Sequence, residues 1–552
     1  MSITSSVAHS TPAPPNPQPG ATGSAAAAAA TAASRPTLPW LALATIALGV
    51  SLVIMDATIV NVALPVVIRD LDLTASQAEW LNASYALVFA ALLLTVGRIG
   101  DLRGRRLIFG LGMTIFMLSS ILAGASQSGN ALIAARVLQG VGAAMILPTT
   151  LSTMNALFTG AARAIAFAVY GSTIGGMAAV GPLVGGWLAT DFSWRWAFWL
   201  NIPFGLLVLL GIVKALPETR DPSTDRHLDL VGALAIAVAM AGLVFALIEG
   251  ATYGWWLQPS GSISPVPIVL AIGLVSLVAF FVRESRGRAQ GKPTLIDLGL
   301  LRLPTLRYGN IAAAIVAFGE FGLMFALPLL LQGTLGYSAL GAGWLLVSLA
   351  VGAFLASGIT PQATRALGQR TVVRIGLALE AVGIAVLAAT ISLTIPGWLI
   401  ATALFIYGVG VGMATAQLSS IIMSEVPPAQ GGQASGMQST IRQLGSALGV
   451  AVLGTLLVTS LGSGTEARLE SSGMPSAVRT QVVEIVRGSA GAAIPSLAAD
   501  PRTAPVAQAA REAMIDASRT TAWFAAAALL MGLLATLAIP NIPAPEAAER
   551  HT

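Results

Sequence analysis

The chain contains about fourteen long apolar segments, each separated from the next by a polar stretch. A helix of about 20 apolar residues is long enough to cross the hydrocarbon core of a bilayer. In lipid, a single segment satisfies its own backbone hydrogen bonds only as an α-helix. The segments are 40–66, 77–97, 107–125, 130–157, 163–188, 196–216, 229–249, 265–283, 308–332, 339–360, 372–393, 397–424, 433–460 and 521–540. The sequence therefore predicts an all-α polytopic membrane protein with 14 transmembrane helices.

The composition excludes a soluble protein. Of the 552 residues, 55% are hydrophobic and 10% are charged, with a mean hydropathy of +0.80. A soluble chain of this length is far less apolar. The net charge of +5 lies mostly in loops between apolar segments, where basic residues set orientation, so we expect no nucleic-acid partner. The chain has no cysteine, which excludes disulfides, thiolate metal sites and cysteine nucleophiles.

The basic residues are divided unevenly between the two sides of the membrane. If the N-terminus is cytoplasmic, the loops on that side carry seventeen lysines and arginines, whereas the short loops on the other side carry only Arg69 and Arg195. Cytoplasmic loops of membrane proteins are enriched in these residues. We therefore expect a multi-pass protein of the cytoplasmic membrane with both termini in the cytoplasm.

Three polar regions lie outside the predicted spans. Residues 1–37 are mostly Ala, Pro, Ser and Thr and predict a disordered cytoplasmic tail, and residues 541–552 predict a second one. Residues 461–520 form one long extracytoplasmic loop. Residues 478–486 suit a short amphipathic helix there, but the prolines of this loop argue against a packed domain.

The first apolar segment carries one acid, Asp56, near its middle. An ionised carboxylate at that depth costs at least about 3 kcal/mol on insertion scales, so Asp56 is expected to face a cavity or a partner. A group that can be neutral or charged at mid-membrane suits a carrier that couples transport to protons.

Internal repetition indicates the architecture. The loop after the second segment, residues 97–106, has a degenerate copy at residues 357–370, after the tenth. Such repeats are typical of carriers built from two related six-helix halves. Because the copy comes eight segments later, two extra helices lie between the halves. We predict an N-terminal half at 38–217, an insertion of two helices with an amphipathic cytoplasmic linker at 218–306, and a C-terminal half at 307–540.

Several motifs resemble one family over residues 40–540. They are Met55–Pro65, Gly97–Arg106, Arg136–Gly142, Gly181–Gly186, Ser193–Phe198 followed by Asn201–Pro203, and Arg442–Gly445. In this order they resemble the major facilitator superfamily, and within it the fourteen-helix drug/proton antiporter branch. The resemblance implies the major facilitator fold, two six-helix halves with two inserted helices.

The resemblance also implies roles for residues. In the family, the arginine at the position of Arg136 takes part in proton coupling; a helix brace is the alternative. A conformational latch on the outward-facing state is implied for the loop residues Gly97, Asp101, Arg105 and Arg106. The alternative for the loop is a purely topogenic role. The family associates the motif Gly181, Pro182, Gly185 and Gly186 with exporters.

Asp101 and Arg105 are four residues apart and can pair on one helix face. Glu320 lies mid-helix in the first helix of the C-terminal half, in the counterpart position to the helix that carries Asp56. It is a second candidate for proton coupling, or a buried brace. Glu380 is a weaker candidate, and Glu249, at a helix end, is expected to be a solvated cap.

Aromatic and methionine side chains next to Glu320 suit a pocket for lipophilic cations, because ring faces attract cations and methionine adapts its shape. The predicted substrate-binding residues are Asp56, Glu320, Phe321, Met324 and Phe325. Some members of the branch carry further acids where this chain has Ala83, Ala353 and Gln438, which favours monovalent or neutral substrates over dications.

The function predicted is proton-coupled export of lipophilic drugs by alternating access, in which the two halves rock around a central site. A dedicated exporter of one endogenous metabolite, antibiotic or lipid on the same fold is the alternative. We expect a monomer in the bilayer, driven by the proton gradient without a cofactor or metal. The chain is not expected to be an enzyme, because it has no nucleophile or nucleotide motif and its three histidines lie outside the spans.

Overall fold

Long helices follow one another along the whole described chain. The computed structural model describes residues 39–158, 160–220, 229–258, 262–290, 295, 298–426 and 431–540. The long helices are α1 (Pro39–Asp70), α2 (Ala75–Arg103), α3 (Arg105–Gly124), α4 (Gly129–Leu157), α5 (Gly160–Asp191), α6 (Asn201–Ala215), α7 (Leu230–Tyr253), α8 (Pro265–Ala289), α9 (Pro304–Gly333), α10 (Ala339–Leu367), α11 (Gln369–Thr390), α12 (Gly397–Met423), α13 (Gly431–Ser471) and α14 (Ala504–Ala535). The predicted tails and part of the predicted amphipathic linker lie outside the described residues.

Most of these helices are able to cross a membrane. Within the described ranges, twelve are long and apolar enough, and α2 makes a thirteenth if the two parts on either side of its 48° bend are taken as one span. The predicted span 163–188 falls in α5, which is not one of these thirteen. A multi-pass helical protein is therefore confirmed, whereas the number of fourteen spans stays a prediction.

Polar caps fix where the helices begin on the predicted outer side. At α2, the Thr74 hydroxyl accepts from the Gln77 backbone N–H and the Gln77 side chain accepts from the Thr74 N–H, a reciprocal capping box. At α10, Ser338 accepts from the Gly341 N–H at 3.0 Å. Both helices therefore start at defined residues next to short loops.

The helices pack in two groups joined by the insertion. Helices α1–α6 form the N-terminal half and α9–α14 the C-terminal half; α7 and α8 pack on each other. An ion pair of 2.8 Å between Arg283 and Asp229 ties α8 to the start of α7. Helix α7 also contacts α2 and α13, so the insertion touches both halves.

The two halves are closed against each other near their outer ends. Helix α5 packs along α10, and the Leu340 N–H donates to the Thr190 hydroxyl at 3.0 Å. The Gln332 side chain of α9 donates to the Val62 carbonyl of α1 at 2.8 Å. These contacts join the ends that the charge rule predicts to be outside, so the structure represents a conformation closed on the predicted outer side.

The outer segment is more ordered than its sequence predicts. Helix α13 continues to Ser471, and short helices follow at Ser476–Gly488 and Ile494–Ala499. The prediction that prolines prevent packing is wrong. Pro495 and Pro505 occupy first-turn positions of helices, where a backbone N–H has no partner within the helix, so the missing N–H of proline costs no hydrogen bond. Apolar side chains here are buried, among them Val486 and Met514.

Candidate functional site

Asp56 lies in a buried hydrogen-bonded cluster inside the N-terminal half. It is fully buried and forms an ion pair with Arg136 of α4. Its other carboxylate oxygen accepts from the side-chain amides of Gln139 and Asn201, each at 3.0 Å. The same two amides donate to the Ser120 hydroxyl at 2.9 and 3.1 Å. These five residues, the Asp56 cluster, bring together α1, α3, α4 and α6.

Arg136 has a second set of partners. Its Nε donates to the Leu81 carbonyl of α2 at 3.3 Å, and its guanidinium carbon lies 4.2 Å from the centre of the Tyr85 ring. It also donates to the Gln139 amide oxygen at 2.9 Å. A guanidinium over an aromatic face is attracted by the ring quadrupole. Arg136 therefore keeps polar partners and a cation–π contact even if the charge on Asp56 is removed.

The predicted substrate residues do not form one surface in this conformation. Asp56 and Phe325 are fully buried and Met324 is nearly so. Phe325 packs toward α13, where it lies close to Gly454. Glu320 and Phe321 are partly exposed. Substrate binding by this set stays a prediction, and for Asp56 and Phe325 it requires a rearrangement.

Glu320 has an ionic partner that the sequence does not reveal. Arg442 of α13 places its Nη2 3.6 Å from the Glu320 carboxylate. The Glu320 side chain is 17% exposed and that of Arg442 43%, so this pair is less buried than Asp56 and Arg136. Glu320 lies eight residues before Pro328 of α9, and Asp56 lies nine before Pro65 of α1. The two acids are thus at nearly equivalent depths.

The loop between α2 and α3 is held by local charges. Arg105 pairs with Asp101 at 2.8 Å, as their spacing predicts, and Arg105 also donates to the Ser152 carbonyl at 3.2 Å. A Cβ at Gly97 would lie 3.2 Å from Pro148 of α4, so glycine permits this approach. The latch role of these residues stays a prediction.

Glu218 is part of this loop structure, although it follows α6. It accepts from the Arg106 backbone N–H at 3.1 Å, at the start of α3, where the helix dipole favours a carboxylate. Arg106 in turn donates to the Val213 carbonyl at 3.1 Å. Gly104 makes room for Glu218, since a Cβ there would lie 2.5 Å from its carboxylate. Sequence reasoning overlooked Glu218; the available signal is an acid three residues after the end of α6.

Gly104→Ala is expected to destabilise the protein, because Gly104 combines this steric contact with a φ of +123°. Such backbone strain costs about 1–3 kcal/mol. The matched control is Gly336→Ala, which also has a positive φ (+75°) but open space around the Cβ position. In detergent, the thermal unfolding midpoint of Gly104→Ala should fall further than that of Gly336→Ala. Equal shifts would show that the Glu218 contact does not matter.

The glycines of the predicted exporter motif line the seam between α1, α5 and α10. Cβ atoms at Gly181 and Gly185 would lie 3.3 Å from the carbonyl oxygen of Met55 and 2.8 Å from that of Ile59, both in α1. A Cβ at Gly186 would lie 2.5 Å from the Ala339 carbonyl oxygen of α10.

Pro182 contributes to the same seam. Its carbonyl oxygen would lie 2.6 Å from a Cβ at Gly343 of α10. The motif therefore lies where the two halves close on the outer side.

A further acid, Glu79, lies at the junction of the halves. It is 3% exposed, and the Thr455 hydroxyl of α13 lies 3.2 Å from its carboxylate and 3.1 Å from the Leu247 carbonyl of α7. A search for acids in the middle of spans misses Glu79, which is the third residue of the predicted span 77–97. Including the first turn of each span would find it.

Glu249 is not a solvated cap, so that prediction is wrong. Its carboxylate accepts from the Ser76 hydroxyl at 2.7 Å and from the Trp80 indole N–H at 2.8 Å. These bonds attach α7 to the start of α2, because the end of α7 packs against another helix and not against solvent.

Two helical halves that close around buried charged side chains define a polytopic membrane transporter. The chain belongs to the Major Facilitator Superfamily, whose family model matches residues 46–450. The prediction of the major facilitator fold is thereby confirmed.

Three relatives are named for antibiotic transport, antibiotic resistance or multidrug efflux. The chain is 33% identical to the probable actinorhodin transporter of Streptomyces coelicolor over 78% of this chain and 74% of that protein. It is 35% identical to the puromycin resistance protein of Streptomyces alboniger, over 76% and 81%. It is 31% identical to the multidrug efflux pump LfrA of Mycolicibacterium smegmatis, over 82% and 92%.

The fold is also similar to that of solved structures. A bacterial homolog of the human lysosomal transporter Spinster, in its inward-facing and occupied conformation, gives a TM-score of 0.61 at 18% identity, over 93% of this chain and all of that one. The human organic anion transporter MFSD10 gives 0.54 at 15% identity, over 91% and 100%. At these identities the likeness concerns the fold alone.

Proposed function

We propose that this transporter exports small lipophilic molecules, cationic or neutral, in exchange for protons. The observation that carries the proposal is the Asp56 cluster, a fully buried carboxylate whose arginine also contacts another helix. The export direction is supported by the relatives, which are named for antibiotic transport, antibiotic resistance and multidrug efflux. We propose that it works as a monomer with both termini in the cytoplasm.

The Asp56 cluster suggests how a proton changes the conformation. Protonation of Asp56 removes the charge that holds Arg136, and Arg136 then relies on Leu81 and Tyr85 of α2. Helix α2 packs along α13 of the other half, so a shift of Arg136 acts on the contact between the halves. Neutralising only one partner of a buried ion pair costs free energy, because the other charge is left uncompensated. Such a pair is therefore suited to a two-state switch.

The substrate site is proposed near Glu320 and Phe321. Among the predicted substrate residues these two are partly exposed in this conformation, and they carry a carboxylate and an aromatic ring. Arg442 pairs with Glu320 and would have to move for a cation to bind there. A neutral substrate would not need this exchange.

A dedicated exporter of one antibiotic is the second candidate. Two of the relatives are named for a single compound each, actinorhodin and puromycin. A drug panel in a host that lacks its own efflux pumps separates the two. Broad resistance supports multidrug export, and protection against one compound class supports the dedicated exporter.

Proton coupling is tested with purified protein in liposomes. We expect an imposed pH gradient to drive accumulation of ethidium, a lipophilic monocation, or of puromycin, and expect each substrate to release protons when added without a gradient. A gradient-collapsing protonophore should abolish accumulation. Uptake that is unchanged by the protonophore and releases no protons would contradict the proposal.

A further inference from the structure

The same contact between two neighbouring helices occurs in both halves, so residues of one half can be matched with residues of the other. In the N-terminal half, Gly142 of α4 packs against Gly112 and Phe116 of α3, which are four residues apart. A Cβ at Gly142 would lie 2.9 Å from the Gly112 carbonyl oxygen and 2.8 Å from the Phe116 nitrogen. Only glycine allows backbones this close.

The C-terminal half has the same contact between α12 and α11. A Cβ at Gly410 would lie 2.5 Å from the Gly376 carbonyl oxygen and 2.6 Å from the Glu380 nitrogen, again at positions four apart. The contact therefore aligns Gly410 with the N-terminal glycine and places Glu380 at the position of Phe116.

The same alignment reveals a difference in chemistry. Gln139 lies three residues before Gly142, and Tyr407 lies three before Gly410. Arg136 and Leu404 lie six residues before the same two glycines. The N-terminal half thus surrounds one carboxylate with an arginine and an amide. The C-terminal half has no arginine at the equivalent position, and it adds a second carboxyl, Glu380, and a phenol.

Glu380 is buried without the partners that an ionised carboxylate needs. It is fully buried, and in the described part of the chain neither carboxyl oxygen has a hydrogen-bond partner. The Tyr407 hydroxyl is buried and without a partner in the same way. An isolated ionised carboxylate in such a place is strongly disfavoured relative to its neutral form.

The charged groups around Glu380 are few. Glu320 of α9 and Tyr407 of α12 lie within electrostatic range of Glu380. Of the other helices packed on α11, α14 brings Arg519 to the Ile391 carbonyl, eleven residues beyond Glu380, and α10 carries Arg365 near its inner end. In the described residues, no cation forms an ion pair with Glu380.

We propose that Glu380 and Glu320 form a second proton-binding site, in the C-terminal half, so that each half carries one proton in the cycle. This rests on the proton-coupled export proposed above. In the present conformation Glu380 holds the proton, because it is fully buried without a partner, and Glu320 pairs with Arg442.

Release of the proton requires the halves to move, because Glu380 is fully buried in this conformation. When rocking of the halves admits water to Glu380, its O–H bond breaks and the proton passes to a water molecule. The carboxylate left behind is then hydrated, and uptake of a proton is the reverse step. Apart from water, the step needs no oxidant or other reactant.

Infrared spectroscopy of the purified full-length protein tests the proton on Glu380 without any substrate. Glu380→Gln should remove part of the carbonyl band of protonated carboxyl groups at neutral pH. Asp500→Asn is the control, because hydrogen bonds from Arg502 hold the pKa of Asp500 below its usual value, so this acid contributes no such band. If Glu380→Gln removes no more of the band than the control does, Glu380 is ionised and the proposal fails.

A second infrared measurement tests the coupling between the two acids. Glu320→Gln removes the neighbouring carboxyl group, which should shift the frequency of the Glu380 carbonyl band because the local field changes. An unchanged band would show that the two acids do not act as a pair. Should Glu380→Gln fail to fold, Glu380→Met, of similar volume and without a polar group, takes its place.

The transport part is tested in liposomes with ethidium. Replacing Glu380 by Gln should reduce the protons moved per ethidium by about half, since one of two membrane acids that relay protons is lost. An unchanged ratio would make Glu380 a brace. If the wild type moves ethidium without protons, the proposed function fails, while the infrared result still decides whether Glu380 carries a proton.

Discussion

Replacing Asp56 with asparagine is expected to abolish proton-coupled export while the protein still inserts into the membrane. Asparagine keeps the size of the side chain and one acceptor oxygen, but it cannot take up or release a proton. Arg136 would then remain charged all the time among Leu81, Tyr85 and Gln139. In liposomes, Asp56→Asn should show neither substrate-driven proton release nor gradient-driven accumulation of ethidium.

Loss of stability has to be separated from loss of coupling in this variant. Removing one partner of a buried ion pair costs about 3–5 kcal/mol, because the other charge is left uncompensated. The double variant Asp56→Asn/Arg136→Gln removes both charges and should recover most of the thermal unfolding midpoint. If Asp56 carries protons, transport is not restored in the double variant. Restored coupling would show that the pair only braces the helices.

The sequence predicted those parts of the site that depend on position along the chain. Asp56, Arg136 and the spacing of Asp101 and Arg105 are visible because a charge in a long apolar segment is rare and a separation of four residues places two side chains on one helix face. The structure brings Asp56 to Arg136, a pairing for which the sequence offered only the need for some partner.

The parts that depend on which way a helix faces could not be predicted. Helices buried on several sides lack a polar stripe that would show their orientation. Arg442 therefore gave no sign of reaching Glu320, and Glu249 looked solvated although it binds α2. Phe325 is grouped with Glu320 because it is close in sequence, but it turns toward Gly454 and is buried.

The role of the Gly181–Gly186 motif depends on how the two halves pack against each other. A glycine in one helix shows a close approach, but not which helix approaches. The structure divides the motif between two partners, with Gly181 and Gly185 against α1 and Gly186 against α10. The first two contacts lie within one half and persist through any rocking of the halves. The contact of Gly186 crosses between the halves and must open when the outer side opens.

Gly186→Val is therefore expected to hold the transporter open on the outer side and stop export. A Cβ at this position would lie 2.5 Å from the Ala339 carbonyl oxygen and 2.9 Å from the Leu340 Cα in the closed conformation. Overpacking of this kind costs about 1–3 kcal/mol, which shifts an equilibrium between two conformations about 5- to 150-fold. Separation of the halves relieves the clash, so the open form is favoured.

The absence of native cysteine makes this shift measurable. Spin labels on cysteines introduced at Asp191 and Ser338, exposed positions at the outer ends of α5 and α10, report the separation of the halves. Gly186→Val should lengthen the main distance and reduce ethidium transport. Gly176→Val is the matched control on α5, since a Cβ there meets nothing within 4 Å. Should both variants keep the wild-type distance, closure of the outer side does not depend on this contact, because α5 and α10 would then tolerate a side chain between them.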